Sequence, residues 1–383
     1  MVEIVKVKTK KDQKEFIEFP LGLYKGNDCF VPPLYSDEKK MFKKGYVYND
    51  TCDFQCFLAK KNGKTVGRIQ AILSRPSNEK TGEKRVRFTR FDSVDDFEVA
   101  SALFKAVEDF ARERKMDTVC GPLGFSDLER EGLLVEGFDQ LSTFEEQYNY
   151  QYYGNLVERA GFKKEVDWTE SKIYNPDEGV KEMQKMAEYV MKRYRLHIGE
   201  AKNVKDFLKK YADEFFELLD LCYDKLYGTV PFTDGMKKIM IENFKLIIDL
   251  KHVVVILNEE NKLVCLGICF PSLAKAVQKS GGRLTPAALV RILKAIKRPE
   301  IIDLGLIAVH PDYINCGVTS IISAGLMNML GEDGVKYAET NLNLEDNYAI
   351  LNQWKRFKCV PHKRRRSYVK FLNESGNAGE LYD

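Results

Sequence analysis

One order of elements occurs twice along this 383-residue chain, and that recurrence limits the fold more than any single motif does. In the first half, strand-like runs Asp53–Lys60 and Lys64–Leu73 flank Lys61-Asn62-Gly63, whose Asn-Gly step accepts the positive backbone angles of a tight hairpin. A strand Arg85–Phe91 comes next, then a helix over about Phe97–Arg114 with Val99, Leu103, Ala106, Val107 and Phe110 on one face. A short strand Thr118–Cys120, a helix over Tyr148–Ala160 stopped by Gly161, and a strand near Val166–Ile173 complete the series. Helical stretches Gly179–Arg195, Val204–Tyr227 and Gly235–Leu250 follow. Then the order returns. Hairpin His252–Leu257/Leu263–Phe270, strand Ile302–Val309, helix Gly317–Leu330, strand Tyr337–Asn341, helix Asn347–Phe357 and a last strand near Arg366–Leu372 repeat it. Strands joined through helices imply an α/β mixed sheet covered by helices in each half. The boundary falls between Asn175 and Gly199, and we divide the chain into residues 1–175 and 176–383.

Length agrees, since cores usually serve roughly 100–200 residues each. Hydrophobic content of 44% with 31% charged residues is that of a globular protein. Sixty Lys+Arg against 57 Asp+Glu leave a net charge of only +3, which excludes a global field for nucleic acid or an anionic membrane. Neither a signal peptide nor a run of about 18 apolar residues occurs, so a cytoplasmic protein with no membrane partner is expected. Nine cysteines, an odd number, suit small buried residues in a reducing compartment better than a disulfide framework. Cys52/Cys56 and Cys265/Cys269 lie inside apolar runs without the loop residues of a zinc site, and no metal is expected.

The segment richest in chemistry is His310-Pro311-Asp312-Tyr313-Ile314-Asn315-Cys316, between a strand and a helix beginning at Gly317. Such a turn hands unpaired backbone N–H groups and the helix dipole to an anion, and Gly317 is where a phosphate comes closest. Val309-His310-Pro311-Asp312-Tyr313 resembles the V-x-P-x-Y strand end of the GNAT-type N-acyltransferase superfamily, with Gly317 at the central glycine of its [QR]-x-x-G-x-[GA] pyrophosphate loop. Asn347 matches the asparagine opening the later helix of that family, and Trp354 stands where its tyrosine reaches the coenzyme sulfur. The resemblance implies two acyl-CoA N-acyltransferase-like domains in tandem, with acetyl-CoA or another acyl-CoA held by Ala308, Val309, Asn315, Gly317, Val318, Thr319 and Asn347. Departures from the pattern are Ile314 for Gln/Arg, Thr319 for the last small residue, Trp354 for Tyr, and Lys358-Cys359 for Gly-Phe. An indole N–H donates a hydrogen bond but releases no proton to a thiolate.

The first half carries the hairpin and the later helix, Leu156 to Phe162, but where the phosphate turn belongs it reads Asp92-Ser93-Val94-Asp95-Asp96. Carboxylates around a helix start repel pyrophosphate, so this half is expected to be a degenerate copy that supports the other.

Candidate bases are Asp303 and Glu339 on neighbouring strands and His310 at the cleft edge, and each has a plain structural alternative in a local ion pair or a surface position. The run Lys363-Arg364-Arg365-Arg366 offers RNA or a coenzyme phosphate a basic patch, or is a solvated turn before the last strand. Tyr148, Tyr150, Tyr152 and Tyr153 wall a pocket or half-bury a helix. Gly281-Gly282-Arg283 before Pro286 reads as a flexible entry to a helix. The expected activity is N-acyl transfer to a small amine, amino acid or peptide amine. A non-catalytic acyl-binding protein and an aminoacyl-tRNA-dependent transferase are the alternatives.

Overall fold

The computed structural model describes residues 1–372. They form two compact units, neither of them a single stretch of chain: Met1–Trp168, Val277–Leu284 and residues 363–372 make the first, Thr169–Ala276 and Thr285–His362 the second.

The N-terminal half of the chain runs β1 (Val2–Lys6), α1 (Lys10–Leu23), α2 (Tyr35–Lys40), β2 (Cys52–Lys61), β3 (Lys64–Ser74), α3 (Arg75–Thr81), β4 (Arg85–Ser93), α4 (Phe97–Glu113), β5 (Thr118–Gly121), β6 (Leu133–Glu136), α5 (Tyr152–Arg159) and β7 (Lys163–Tyr174). The C-terminal half runs α6 (Val180–Arg193), β8 (His197–Ile198), α7 (Val204–Tyr223), α8 (Asp234–Ile247), β9 (Val253–Leu257), β10 (Leu263–Pro271), α9 (Ala274–Gln278), α10 (Pro286–Lys297), β11 (Ile301–Val309), α11 (Thr319–Leu330), β12 (Tyr337–Thr340), β13 (Asn343–Leu344), α12 (Tyr348–Trp354) and β14 (Lys358–Phe371).

In unit one the strand order is β1-β2-β3-β4-β5 followed by the C-terminal part of β14. Neighbours are antiparallel except β4 and β5, which are parallel. The β2–β3 turn places Asn62 at φ 52° and Gly63 at φ 73°, the two positive angles its sequence announces. Helix α4, capped by Asp96 accepting from Glu98 N, buries Val99, Leu103, Phe104, Val107 and Phe110 against this sheet.

In unit two the order is β8-β9-β10-β11-β12 followed by the C-terminal part of β7. Both faces are covered. Helices α7 and α8 supply Phe207, Phe215, Leu219, Met240 and Phe244 to one core with Leu266, Ile268 and Ala308. Helices α6 and α11 form cores on the other face with Ile256, Cys265, Ile302 and Ala338.

Three sequence expectations change. The tyrosine-rich helix is only Tyr152–Arg159, because Tyr148 OH donates to Phe138 O and Tyr150 OH to Leu23 O, anchoring an irregular approach. Helix α11 starts at Thr319, because Gly317 is left-handed (φ +79°) and ends the preceding 3₁₀ turn Pro311–Cys316. The last strand starts at Lys358, so the basic run 363–366 is strand and not turn. Strand alternation turns Lys363 and Arg365 inward, 2% and 0% exposed, while Arg366 Nε (2.8 Å) and Arg364 NH1 (3.4 Å) meet Asp167. Two of the four basic side chains of this run are therefore buried.

Candidate active site

In unit two, β11 and β12 pair in parallel from Ile301↔Tyr337 to Leu304↔Thr340 and then part, because β12 stops while β11 runs on to Val309. A bulge at Gly305 accompanies the parting: β10 pairs with Leu304 and with Leu306 but skips the glycine between them. No other residue fits there, since a Cβ on Gly305 would stand 2.3 Å from the Phe270 ring and 2.9 Å from Ile268 O. The bulge also inverts the alternation of β11. Leu304 packs toward α11, and Leu306, two residues on, packs toward α7 and α8.

His310 N donates to Val264 O at 2.8 Å, which fixes the hydrogen-bond phase of the antiparallel β10–β11 pair. Ala308 is directed at β10, and Ile307 and Val309 are directed into the opened side. Their carbonyls confirm the phase: Tyr223 OH donates to Ile307 O (3.0 Å) and Cys222 Sγ to Val309 O (3.2 Å), both from the end of α7. Of the two β11 residues expected to hold the coenzyme, Val309 points its N–H into the fork and Ala308 does not. The Ile307 N–H points the same way as that of Val309.

Asp303 and Glu339 lie opposite each other one rung before the strands part, each 6% exposed. His362 Nε2 is 3.2 Å from Glu339 Oε1 but off the line of a hydrogen bond. Burial and then the Glu339 charge push the nearby Tyr337 hydroxyl well above its ordinary range, and burial followed by Asp303 lifts the Cys269 thiol to about 12. The expected bases on the two strands therefore share one low-dielectric place. His310 does not join them: its Nδ1 accepts from Asp312 N at 3.4 Å and caps the 3₁₀ turn.

The turn after β11 has the form of an anion cradle. Val318 and Thr319 precede and open α11, where the first backbone N–H groups have no intrahelical acceptor, and Gly317 stands just before them. Arg356 NH1 reaches Thr319 Oγ1 at 3.2 Å, setting an exposed guanidinium at the same turn. These groups fit the diphosphate of a coenzyme. Asn315 is on the 3₁₀ turn, and Asn347 caps α12 by accepting from Ile350 N. The Trp354 indole N–H is committed to Asn343 Oδ1 at 2.6 Å, with its ring against Phe357.

Sequence reading passed over a second cluster, inside unit one. Asp92, expected to repel phosphate at a helix start, is a buried end of β4 held by Arg68 Nε (2.8 Å) and by Tyr24 OH (2.8 Å). Arg90 stands beside it in a left-handed conformation (φ 48°), which costs a non-glycine residue roughly 1–2 kcal/mol. Glu38 fixes it with three contacts of 3.0–3.2 Å, and Gln70 Oε1 accepts from its NH1 at 2.8 Å. Burial pushes the Glu38 carboxyl up, yet the Arg90, Arg68 and Arg130 charges outweigh it and hold the pKa at about 2. Burial wins at Glu129 and Glu131, whose pKa values are raised. Donors and acceptors thus meet in one place. Glu129–Glu131 belong to the stretch 122–147, which is largely buried although little of it is helix or strand. The signal was present as Arg68, Gln70, Arg90 and Asp92 interrupting apolar strands.

No protein-family model matches the chain. It is 24% identical over 374 residues to Protein YghO of Escherichia coli K12, covering 94% of this chain and 93% of that protein. It is 27% identical over 301 residues to a bacterial ceramide synthase of Caulobacter vibrioides, covering 77% of each. Among solved structures, a tandem GNAT protein from the clavulanic acid biosynthesis pathway superposes with a TM-score of 0.54 at 12% identity, covering 98% of this chain and 100% of that one. The fold is that of tandem GNAT proteins.

Proposed function

We propose that the chain is an acyl-CoA-dependent N-acyltransferase working at the β11–β12 fork of unit two. One observation carries the reading: the fork opens where the buried Asp303 carboxyl, inward-facing strand N–H groups and the turn before α11 belong to a single strand-turn-helix segment, with the buried Glu339 opposite on β12. Bound there, an acyl-CoA supplies an acyl group already activated as a thioester. The chain supplies the rest. Gly317, Val318 and Thr319 N–H with Arg356 bind the diphosphate, and Val309 and Ile307 N–H lie where negative charge develops on the carbonyl oxygen. Asp303 takes the proton of the attacking amine, being on the strand that also carries those donors. Glu339, with His362 beside it, positions. Burial raises the Cys222 thiol, which favours direct attack by the amine over an acyl-cysteine intermediate.

The likeness to a bacterial ceramide synthase supports an acceptor of the same chemical kind. A ceramide is the amide of a fatty acid with a long-chain amino alcohol. We therefore place a long-chain amino alcohol ahead of short amines and amino acids, and a long-chain acyl-CoA ahead of acetyl-CoA.

Calorimetry with coenzyme A, acetyl-CoA and a long-chain acyl-CoA tests this, repeated on Gly317→Glu, which sets a carboxylate in the cradle. Micromolar binding lost in the variant, followed by thiol release dependent on a long-chain amino alcohol, is expected. A folded wild type that binds no coenzyme would leave the non-catalytic reading in its place.

A further inference from the structure

Helix α10 faces solvent with the wrong residues for a solvated helix. Thr285 caps it by accepting from Ala288 N and Pro286 occupies its first turn, so its start is well defined, yet only Ala288 is buried. Leu289, Val290 and Leu293 are 47%, 68% and 57% exposed and fall on one face at helical spacing. An isolated exposed leucine is ordinary, but three adjoining aliphatic side chains on one helix are not.

Along the sequence of α10 the charges have one sign. No Asp or Glu occurs from Asn261 to Pro299, whereas Arg291, Lys294, Lys297 and Arg298 crowd the helix and its end. Among the described residues none of these four cations pairs with a carboxylate. The whole-chain charge of +3 conceals this segment. An aliphatic stripe flanked by unpaired cations matches a surface that is apolar inside and anionic at its edge. From these features we infer that α10 is an interfacial helix that docks the protein on an anionic lipid surface, with Leu289, Val290 and Leu293 entering the acyl boundary and Lys294, Lys297 and Arg298 meeting lipid phosphates. A second copy is a poor occupant, because two such faces would bring both sets of cations together. RNA is another poor one, since the centre of the patch has no aromatic ring on which a base could stack. The helix is too short and too charged to cross a bilayer, and no described helix is long and apolar enough to do so. The docking does not depend on the acyl-transfer reading, although a long-chain acceptor would be met at such a surface.

Co-sedimentation of the full chain with phosphatidylcholine vesicles, with and without phosphatidylglycerol, tests the inference. Binding is expected only with phosphatidylglycerol and should weaken as salt rises. Lys294→Glu/Lys297→Glu/Arg298→Glu should weaken it on the order of a hundred-fold, from a contribution of about five-fold per cation near the surface. Leu289→Ser/Val290→Ser/Leu293→Ser should abolish the rest, with the melting temperature held. Because a triple variant can misfold, Val290→Trp supplies an independent reading: its fluorescence should shift to the blue and be quenched by brominated lipid. Wild type that stays in the supernatant with anionic vesicles, a serine variant that binds as well as wild type, or indole fluorescence of the Val290→Trp variant that is blind to lipid would each overturn the assignment. So would a dimer that the serine variant converts to monomer.

Discussion

Asp303 and Glu339 face each other across the parallel β11–β12 ladder, one rung short of the point where the strands separate. Two buried carboxyls at a fork between strands make the fork the place to look for proton transfer, and only one of them continues into the strand that holds the inward N–H groups. Asp303→Asn is expected to lower kcat by about 10²–10⁴-fold with the fold intact, the usual worth of a positioned base. Glu339→Gln should cost less. Thiol release measured on both variants decides the order, and the reverse order would move the base to β12.

Arg356 touches the α11 turn through Thr319 Oγ1 and is otherwise exposed. Arg356→Ala should leave the melting temperature unchanged and weaken coenzyme A binding about tenfold or more, because a charge-assisted phosphate contact contributes roughly 1.5–3 kcal/mol. Unchanged binding by calorimetry would take Arg356 out of the cradle.

Trp354 separates packing from chemistry. Its N–H is held by Asn343 at 2.6 Å and its ring by Phe357. Trp354→Phe keeps an aromatic ring, loses that hydrogen bond, and should cost on the order of 1 kcal/mol in urea unfolding. The pH–rate profile is expected not to move; a lost limb would make Trp354 part of the proton path.

The Glu38–Arg90 pair in unit one has a pH signature. The folded carboxyl has a pKa of about 2 against an ordinary 4.5, so the stability it contributes is fully present above about pH 4.5 and disappears as pH falls toward 2. That difference corresponds to about 3 kcal/mol. Urea unfolding from pH 6 to pH 3 should show the acid limb in wild type and a flatter one in Glu38→Gln. The buried groups with raised pKa values, Asp92, Glu129 and Glu131, slope the opposite way, and because the Glu38 charge helps raise Glu129, the difference between the two curves reports Glu38 together with its effect on Glu129. Superimposable curves would show that Glu38 gains nothing from its guanidinium partner.

Local chemistry accounts for what could be read directly from the chain. Asn62-Gly63 requires a tight hairpin, the apolar spacing from Val99 to Phe110 requires a helix face, and Pro311 and Gly317 bound the turn that leads to α11. Each depends on residues a few positions apart, whose backbone preferences act wherever the rest of the chain lies. Those preferences, recurring in one order, were enough to give the doubled fold and to mark a turn between a strand and a helix around Gly317.

Partners distant in sequence settled the remainder. A basic run reads alike on a turn or in a strand, and it was the pairing of β14 with β5 and β6 that turned Arg365 into the core. Ala308 and Val309 are equivalent candidates until the β10 register directs one N–H at a neighbour and the other into the fork. Asp92 reads as a surface acid until Arg68 and Tyr24 arrive from β3 and the end of α1. In every case a charge or an N–H keeps the same intrinsic chemistry. Whether it is buried, and what faces it, is set by elements tens to hundreds of residues away, and burial and partner together decide whether a polar group is structural, reactive or free to bind.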